Sequence, residues 1–433
     1  MTPHARIQTV IDFINLIDHT KKPADSLISG EFRQKRYIGS KDRADIANRY
    51  YRILRSHARL VWWLKKMSFS PTPRARVLLD ILFYEGPDAV AQYFTGETYA
   101  PDILSASEMQ LIERLSDQEL NHSDMPEHIR YECPEWIYPQ LKEIFKESFA
   151  QEMSEMLEPA SLHLRVNALK TSKSDVIKKL AEDDIAVEEG RLSPLALIVD
   201  GRPALSATDT FKQGLVEVQD QGSQLIALLT GAKSGNRVSD FCSGAGGKAL
   251  AIGAMMDNKG LIVASDVLEG KLRRAKTRYK RAGVHNIETR PLTTENDKWV
   301  KRNKGRFDVV LTDVPCSGTG TWKRNPDMRW NFLGPDLDEL IPLQKSILKS
   351  ASRMVKPGGE LVYATCSLLE DENEKQIETF LADHSDFEIV PVKDIWQERV
   401  GTENPDFDLY MRLTPSKSHT DGFFACVLKR KSA

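Results

Sequence analysis

The 433-residue chain carries 60 Lys+Arg against 62 Asp+Glu, is 41% hydrophobic and holds five cysteines. At roughly 150 residues per domain the length gives about three domains with cores of their own, and the ordinary composition excludes collagen-like, low-complexity and disulfide-scaffold chains. No apolar run approaches the ~18 residues that cross a bilayer, Asp12, Asn15 and Asp18 break the only stretch resembling a signal peptide, and the scattered cysteines lack a C-x-x-C pair, so free thiols without a metal site are expected, in a cytoplasmic protein.

Up to about residue 158 apolar residues recur at three- and four-residue spacing, as in Val10, Ile11, Ile14 and Ile17, which predicts an all-helical region. One long helix is expected over 42–67, with Ile53, Leu54, Leu60, Val61 and Leu64 toward the core and Arg49, Arg52, Arg55 and Arg59 forming a ridge. Such a ridge either grips phosphates or is a solvated helix face. Residues 1–70 hold 14 Lys/Arg and 6 Asp/Glu, a net +8, while residues 71–160 hold 6 and 18, a net −12. Local charge, rather than the total of −2, decides phosphate binding. A Pro-punctuated stretch over 133–139 opens a helix over 140–157, ended by Pro159. Residues 161–215 then mix strand-like runs (162–166 and 195–199) with a helix over 174–181, a small α+β unit.

From Gly235 onward short apolar strands (237–241, 261–266, 307–312 and 360–365) alternate with helices, which argues for a doubly wound, mostly parallel α/β sheet. Cys242, Ser243, Gly244, Ala245, Gly246, Gly247 and Lys248 lie at a strand-to-helix turn, where glycine lets a cofactor approach the backbone. A P-loop is disfavoured, because Ala249 follows Lys248. The looser dinucleotide fingerprint fits, and Asp266, 20 residues after Gly246 at a strand end, suits any ribose diol. Alone, the loop predicts a nucleotide-containing cofactor and leaves a nicotinamide oxidoreductase open.

Two further strand ends narrow the chemistry. One leads through Asp313 to Pro315-Cys316-Ser317, the other through Thr365 to Cys366-Ser367, so each delivers a cysteine to the same carboxyl edge. A dehydrogenase has no need of two thiols and an aspartate there. Carbon 5 of a pyrimidine does: it is too weak a nucleophile to take a methyl group until a thiolate adds at carbon 6. A second thiol can assist the elimination that follows, and a carboxyl group at ring N3 can stabilise the adduct.

The motifs DFCSGAGGK, TDVPCSGTG, KRNPDMRW and YATCSLLEDENE, in this order, resemble those of the Sun/RsmB family of RNA (cytosine-5) methyltransferases. Arg36 to Arg43 resembles the NusB-like helical domain of its bacterial 16S ribosomal RNA members, and Leu164-Arg-Val-Asn167, Gln219 to Gln224 and Asp421 to Phe424 match further motifs. The resemblance implies a class I methyltransferase seven-stranded sheet over 216–433, preceded by a linker helix and small α+β unit over 140–215 and a NusB-like RNA-binding domain over 1–139. It implies S-adenosyl-L-methionine as cofactor, with 242–248 around its methionine part, Asp266 on its ribose, and Lys271 and Asp313 beside it. Cys366 would be the nucleophile, Cys316 the thiol that helps release product, Asp313 the contact to the base and Lys248 a neighbour of base and cofactor. The family's aspartate near Leu292 is missing, and backbone groups or Asp297 are expected to replace it.

Ser367-x-x-Glu370 reads as a capping box that would set Cys366 before a helix N-terminus, where the dipole favours thiolate, with Glu370, Asp371, Glu372 and Glu374 opposing unless they point away. The stretch 271–281 holds seven Lys/Arg and no acid, either an RNA-backbone surface or a solvated helix packing Leu272, Ala275 and Tyr279 inward. Trp62, Trp63 and Trp330 are expected in cores. The expected protein is a monomer that methylates carbon 5 of cytosine in RNA, ribosomal RNA first and tRNA as alternative. A non-catalytic RNA-binding assembly factor is the competing reading.

Overall fold

Apolar residues at helical spacing need a shared core, and in the computed structural model, which describes residues 1–330 and 334–432, they find it. The chain forms two compact units, Met1–Glu158 with Trp322–Gly334, and Pro159–Thr321 with Pro335–Ala433. These units divide at 158 and 159, whereas the expected limits lie at 139 and 215. Helices Tyr138–Phe145 and Phe149–Glu155 belong to the first unit, and the small and large sheets share the second.

In the first unit Val10, Phe13, Ile14, Ile46, Tyr50, Ile53, Leu60, Trp63 and Leu64 are buried together, whereas Val61 is half-buried. The single helix expected over 42–67 is two, Ser40–Arg55 and His57–Lys66. The cause lies far off in sequence: the buried Glu132 carboxylate accepts from the N–H groups of Ala58 (2.8 Å) and Arg59 (3.0 Å), capping the second helix at its first turn. The arginine ridge is likewise consumed. Arg49 pairs with Asp45 and Glu85, Arg52 with Asp80 (2.6 Å) and Glu85 (3.1 Å), Arg59 with Glu132 (2.9 Å), and Arg55 donates to the Lys323 carbonyl. It therefore holds the unit together and is not a free phosphate grip. Lys146, at φ 46°, breaks the helix expected over 140–157.

Trp322 and the KRNPDMRW stretch that follows it join this unit. Trp322, Asp327 and Arg329 are buried, and the Asp327 carboxylate accepts from Ala24 N–H (2.9 Å) at the start of helix Ala24–Gln34. Arg329 donates to the Glu132 (2.8 Å) and Met156 (2.9 Å) carbonyls, and burial lowers its guanidinium to about 10. Trp330 is half-buried, its ring 5.2 Å from that of His57.

The second unit opens with four antiparallel strands, β1 (Leu162–Val166), β2 (Val187–Glu189), β3 (Ala196–Val199) and β4 (Val216–Val218), in the order β2-β3-β1-β4. The large sheet contains β5 (Arg237–Asp240), β6 (Leu261–Asp266), β7 (Ile287–Pro291), β8 (Phe307–Asp313), β9 (Val355–Thr365), β10 (Phe387–Val390), β11 (Met411–Leu413) and β12 (Phe423–Arg430). Its main path has the seven expected strands, ordered β10-β12-β9-β8-β5-β6-β7, with short β11 paired to β12. Strands β5 to β9 are parallel and β12 runs antiparallel beside β9. The order reverses between β5 and β8, the switch point beyond whose carboxyl ends ligands bind.

Candidate active site

β5 ends in Asp240, and the chain turns through Cys242–Lys248 into helix Gly247–Met255. Gly246 is left-handed (φ 77°), and a Cβ there would collide with the Tyr279 ring, so the turn requires glycine. At the end of β6 the Asp266 carboxylate accepts from Gly244 N–H (2.8 Å) and Leu268 N–H (2.7 Å), tying the two strand ends together.

A cavity of about 240 Å³ opens there, lined by Phe241, Cys242, Gly244, Asp266, Leu268, Lys271, Leu292, Glu295, Asp313 and Pro315 among others. Five expected cofactor residues, Cys242, Gly244, Asp266, Lys271 and Asp313, thus share one space. Ser243, Ala245, Gly247 and Lys248 line a second hollow with Arg278 and Phe423, and Gly246 lines neither. Asp297 does not reach the cavity. It caps helix Lys298–Arg302 through Trp299 N–H (2.8 Å) and holds Thr293, and these bonds lower its carboxyl to about 2. Glu295 is the acid at the rim.

The cavity fits a nucleoside cofactor bearing an ammonium group. Asp266 keeps lone pairs for a diol, and Val267 and Leu268, 56% and 53% exposed, offer apolar surface at the opening. Beneath the loop Asp240 is 1% exposed with no hydrogen-bond partner on either oxygen. Burial pushes its carboxyl up to about 7, against the pull of Ser243 and Lys248. Burial also pushes the Cys242 thiol well above its ordinary range, so this third cysteine is no nucleophile.

The other two thiols meet. Cys316, in the loop after β8, and Cys366, immediately after β9, bring their sulfurs to 3.4 Å. The bond to Cys366 and then burial push the Cys316 thiol well up, holding it protonated. Lys248 Nζ lies 2.6 Å from Asp313 Oδ2, and although burial works to lower it, that carboxylate raises the ammonium above its usual range.

Glu372, fully buried, braces both cysteine loops. Its carboxylate accepts from Ser317 N–H (2.8 Å), Ser317 Oγ (2.5 Å), Ser367 Oγ and Gln344 Nε2 (2.9 Å), while Gln344 also donates to the Pro315 carbonyl (3.0 Å). The expected capping box is therefore absent. Residues 370–372 form one 3-10 turn, the next helix begins at Glu374, and Ser367 Oγ bonds Glu372. Glu374 pairs with Arg412 (2.7 Å) and Asp371 with Lys375 (2.6 Å). Asp240, Glu295 and Gln344 were not singled out in the sequence, and Glu372 was named there only as an acid opposing the Cys366 thiolate, not as the brace of both cysteine loops.

The doubly wound seven-strand path with antiparallel β12 beside β9, its glycine loop and the acid ending β6 facing one cavity, has the architecture of a class I S-adenosylmethionine-dependent methyltransferase, the class to which the matching family model belongs. A family model for the 16S rRNA methyltransferase RsmB/F matches residues 227–429, and one for the RsmF/B-like ferredoxin-like domain matches residues 133–206. The chain belongs to this RsmB/F family of RNA methyltransferases. It is 34% identical over 310 residues to the probable ribosomal RNA small subunit methyltransferase B of Synechocystis sp., covering 70% of this chain and 67% of that protein. It is 28% identical over 414 residues to the ribosomal RNA small subunit methyltransferase B of Yersinia enterocolitica, covering 91% and 92%. The crystal structure of PH0851 superposes with a TM-score of 0.80 at 25% identity over 99% of both chains. Among the described residues no helix is long and apolar enough to cross a membrane, and no cluster of His, Cys, Asp and Glu suits a metal ion.

Proposed function

We propose that this chain methylates carbon 5 of a cytosine in ribosomal RNA of the small subunit, in the cytoplasm, through a covalent adduct with Cys366. The observation that carries the reading is the pair of sulfurs 3.4 Å apart beside the Lys248–Asp313 ion pair. S-adenosylmethionine would be held by Asp266 and the loop after β5, and when bound supplies an electrophilic methyl group.

The Cys366 thiolate adds to carbon 6 of the cytosine and makes carbon 5 enamine-like. N3 of the adduct takes up the proton that Cys366 gave up, and the Asp313 carboxylate, kept in place by Lys248, accepts a hydrogen bond from that N3–H and stabilises the adduct. Once carbon 5 bears the methyl group, its proton is removed to a base and the ring electrons return to expel Cys366 as thiolate. Cys316, a neutral thiol in contact with that sulfur, donates a hydrogen bond to the departing thiolate. The target cytosine has to be single-stranded or flipped to reach a sulfur at the base of the site.

Cys316→Ala should accumulate a covalent protein–RNA adduct, seen as a slow-migrating band on denaturing gels, and Cys366→Ala should be inactive and form none. An adduct in Cys366→Ala and none in Cys316→Ala would reverse the roles of the two thiols. Methyl transfer without an adduct in either variant would sink the covalent mechanism. Mapping 5-methylcytosine in the product RNA identifies the base.

A further inference from the structure

Residues 271–306 hold 13 Lys/Arg and three Asp/Glu. In the fold this stretch wraps one edge of the large sheet: helix Glu269–Ala282 leads from β6 to β7, β7 ends the strand order, and helix Lys298–Arg302 starts the return to β8. The two helices pack on opposite faces, Ala275, Tyr279 and Ala282 in one core and Val300 in the other.

The basic residues divide by use. Arg278 and Arg281 pair with Glu217 (3.2 and 2.7 Å), Arg278 also donates to the Ala245 carbonyl (2.6 Å), and Lys271 lines the cofactor cavity. Arg273, Arg274, Lys276 and Lys280 on the outer helix face are exposed, as are Arg290 on the edge strand and all five Lys/Arg of 298–306. Among the described residues none of these ten side chains has an ion-pair or hydrogen-bond partner. The fold gains nothing from crowding them, and their mutual repulsion costs stability. In the first unit, by contrast, Arg49, Arg52 and Arg59 are each matched to a carboxylate. No exposed large hydrophobic residue lies in 269–306. A surface with many unmatched cations and no apolar anchor suits a phosphate backbone and not a protein or a bilayer.

We propose that the β7 edge of the sheet, with the outer face of helix Glu269–Ala282, tracks the RNA backbone away from the target nucleotide. The surface starts at the cavity rim, where Lys271 stands, and runs about 20 Å along a helix rising ~1.5 Å per residue. It reads no sequence, and it fixes register and raises the local concentration of RNA. The inference rests on RNA being the substrate.

The test uses the full chain and protein-free 16S ribosomal RNA. R273Q/R274Q/K276Q/K280Q is compared with the parent and with a control that neutralises four lysines elsewhere on the same unit, K178Q/K179Q/K417Q/K429Q. Each phosphate contact contributes ~0.7–0.9 to the slope of log affinity against log salt, so the first variant should lose about 3 from that slope and bind roughly tenfold or more weakly near 0.1 M salt. Its affinity for S-adenosylmethionine and its methylation rate at saturating RNA should match the parent, and the control should lose far less. An unchanged slope in the edge variant, or an equal loss in the control, overturns the proposal and leaves edge protection against aggregation as the role of these charges. Failure of the parent itself to bind the RNA overturns the substrate reading and this inference together.

Discussion

At the scale of single residues, Glu372 accepts from donors on both cysteine loops and on Gln344, so one carboxylate fixes the separation of two sulfurs. Glu372→Ala should lower the urea midpoint by the equivalent of roughly 3 kcal/mol, because buried donors lose their acceptor. It should also slow adduct formation in single-turnover assays by about tenfold or more, the cost of misplacing reacting atoms. Glu372→Gln, which keeps one accepting oxygen, should recover part of both. Asp240 carries a pH signature. Its carboxyl rises from 3.8 to about 7, so within that window the folded protein holds a proton the unfolded chain has released, and stability falls as pH rises. Asp240→Asn should remove that fall and leave the cofactor-free variant more stable than the parent above about pH 7, read as urea midpoints across the range. Cys316, Cys366, Asp313, Lys248 and Asp266 were legible in the sequence because their chemistry needs those types at strand ends. Glu372 and Asp240 were not, because their roles come from burial and from contacts that spacing does not encode.

At the scale of elements, periodicity located the parallel strands well. It failed where a distant side chain intervenes. The apolar spacing over 42–67 is continuous, and the break at Ser56 follows from Glu132, over 70 residues away. β7 was missed because, with Glu288, Thr289, Arg290 and Pro291, it has the polar character of an edge strand. The Trp322–Gly334 segment gave no sign that it leaves the sheet for the helical unit. Arg329 anchors it by hydrogen bonds to backbone carbonyls. Arg329→Met keeps much of the bulk and orphans two buried carbonyls, so it should cost the helical unit about 2–4 kcal/mol, measured as a lower urea midpoint.

At the scale of the whole molecule, a net charge of −2 conceals how the charges are spent. The basic first 70 residues and the acidic stretch after them neutralise each other across pairs such as Arg52–Asp80, Arg59–Glu132 and Lys66–Asp124. A run of exposed cations without ion-pair partners remains at the β7 edge. The return of Trp322–Gly334 to the helical unit also bears on the order of synthesis. Residues 1–158 leave the ribosome before the segment that joins their unit, whose buried side chains Trp322, Asp327 and Arg329 emerge about 170 residues later. At ~5–20 residues per second this is a delay of roughly 10–30 s. During it the nascent helical unit lacks the acceptor for Ala24 N–H and the donor for the Glu132 and Met156 carbonyls. The helical unit is therefore completed only after much of the sheet unit that follows it has been made.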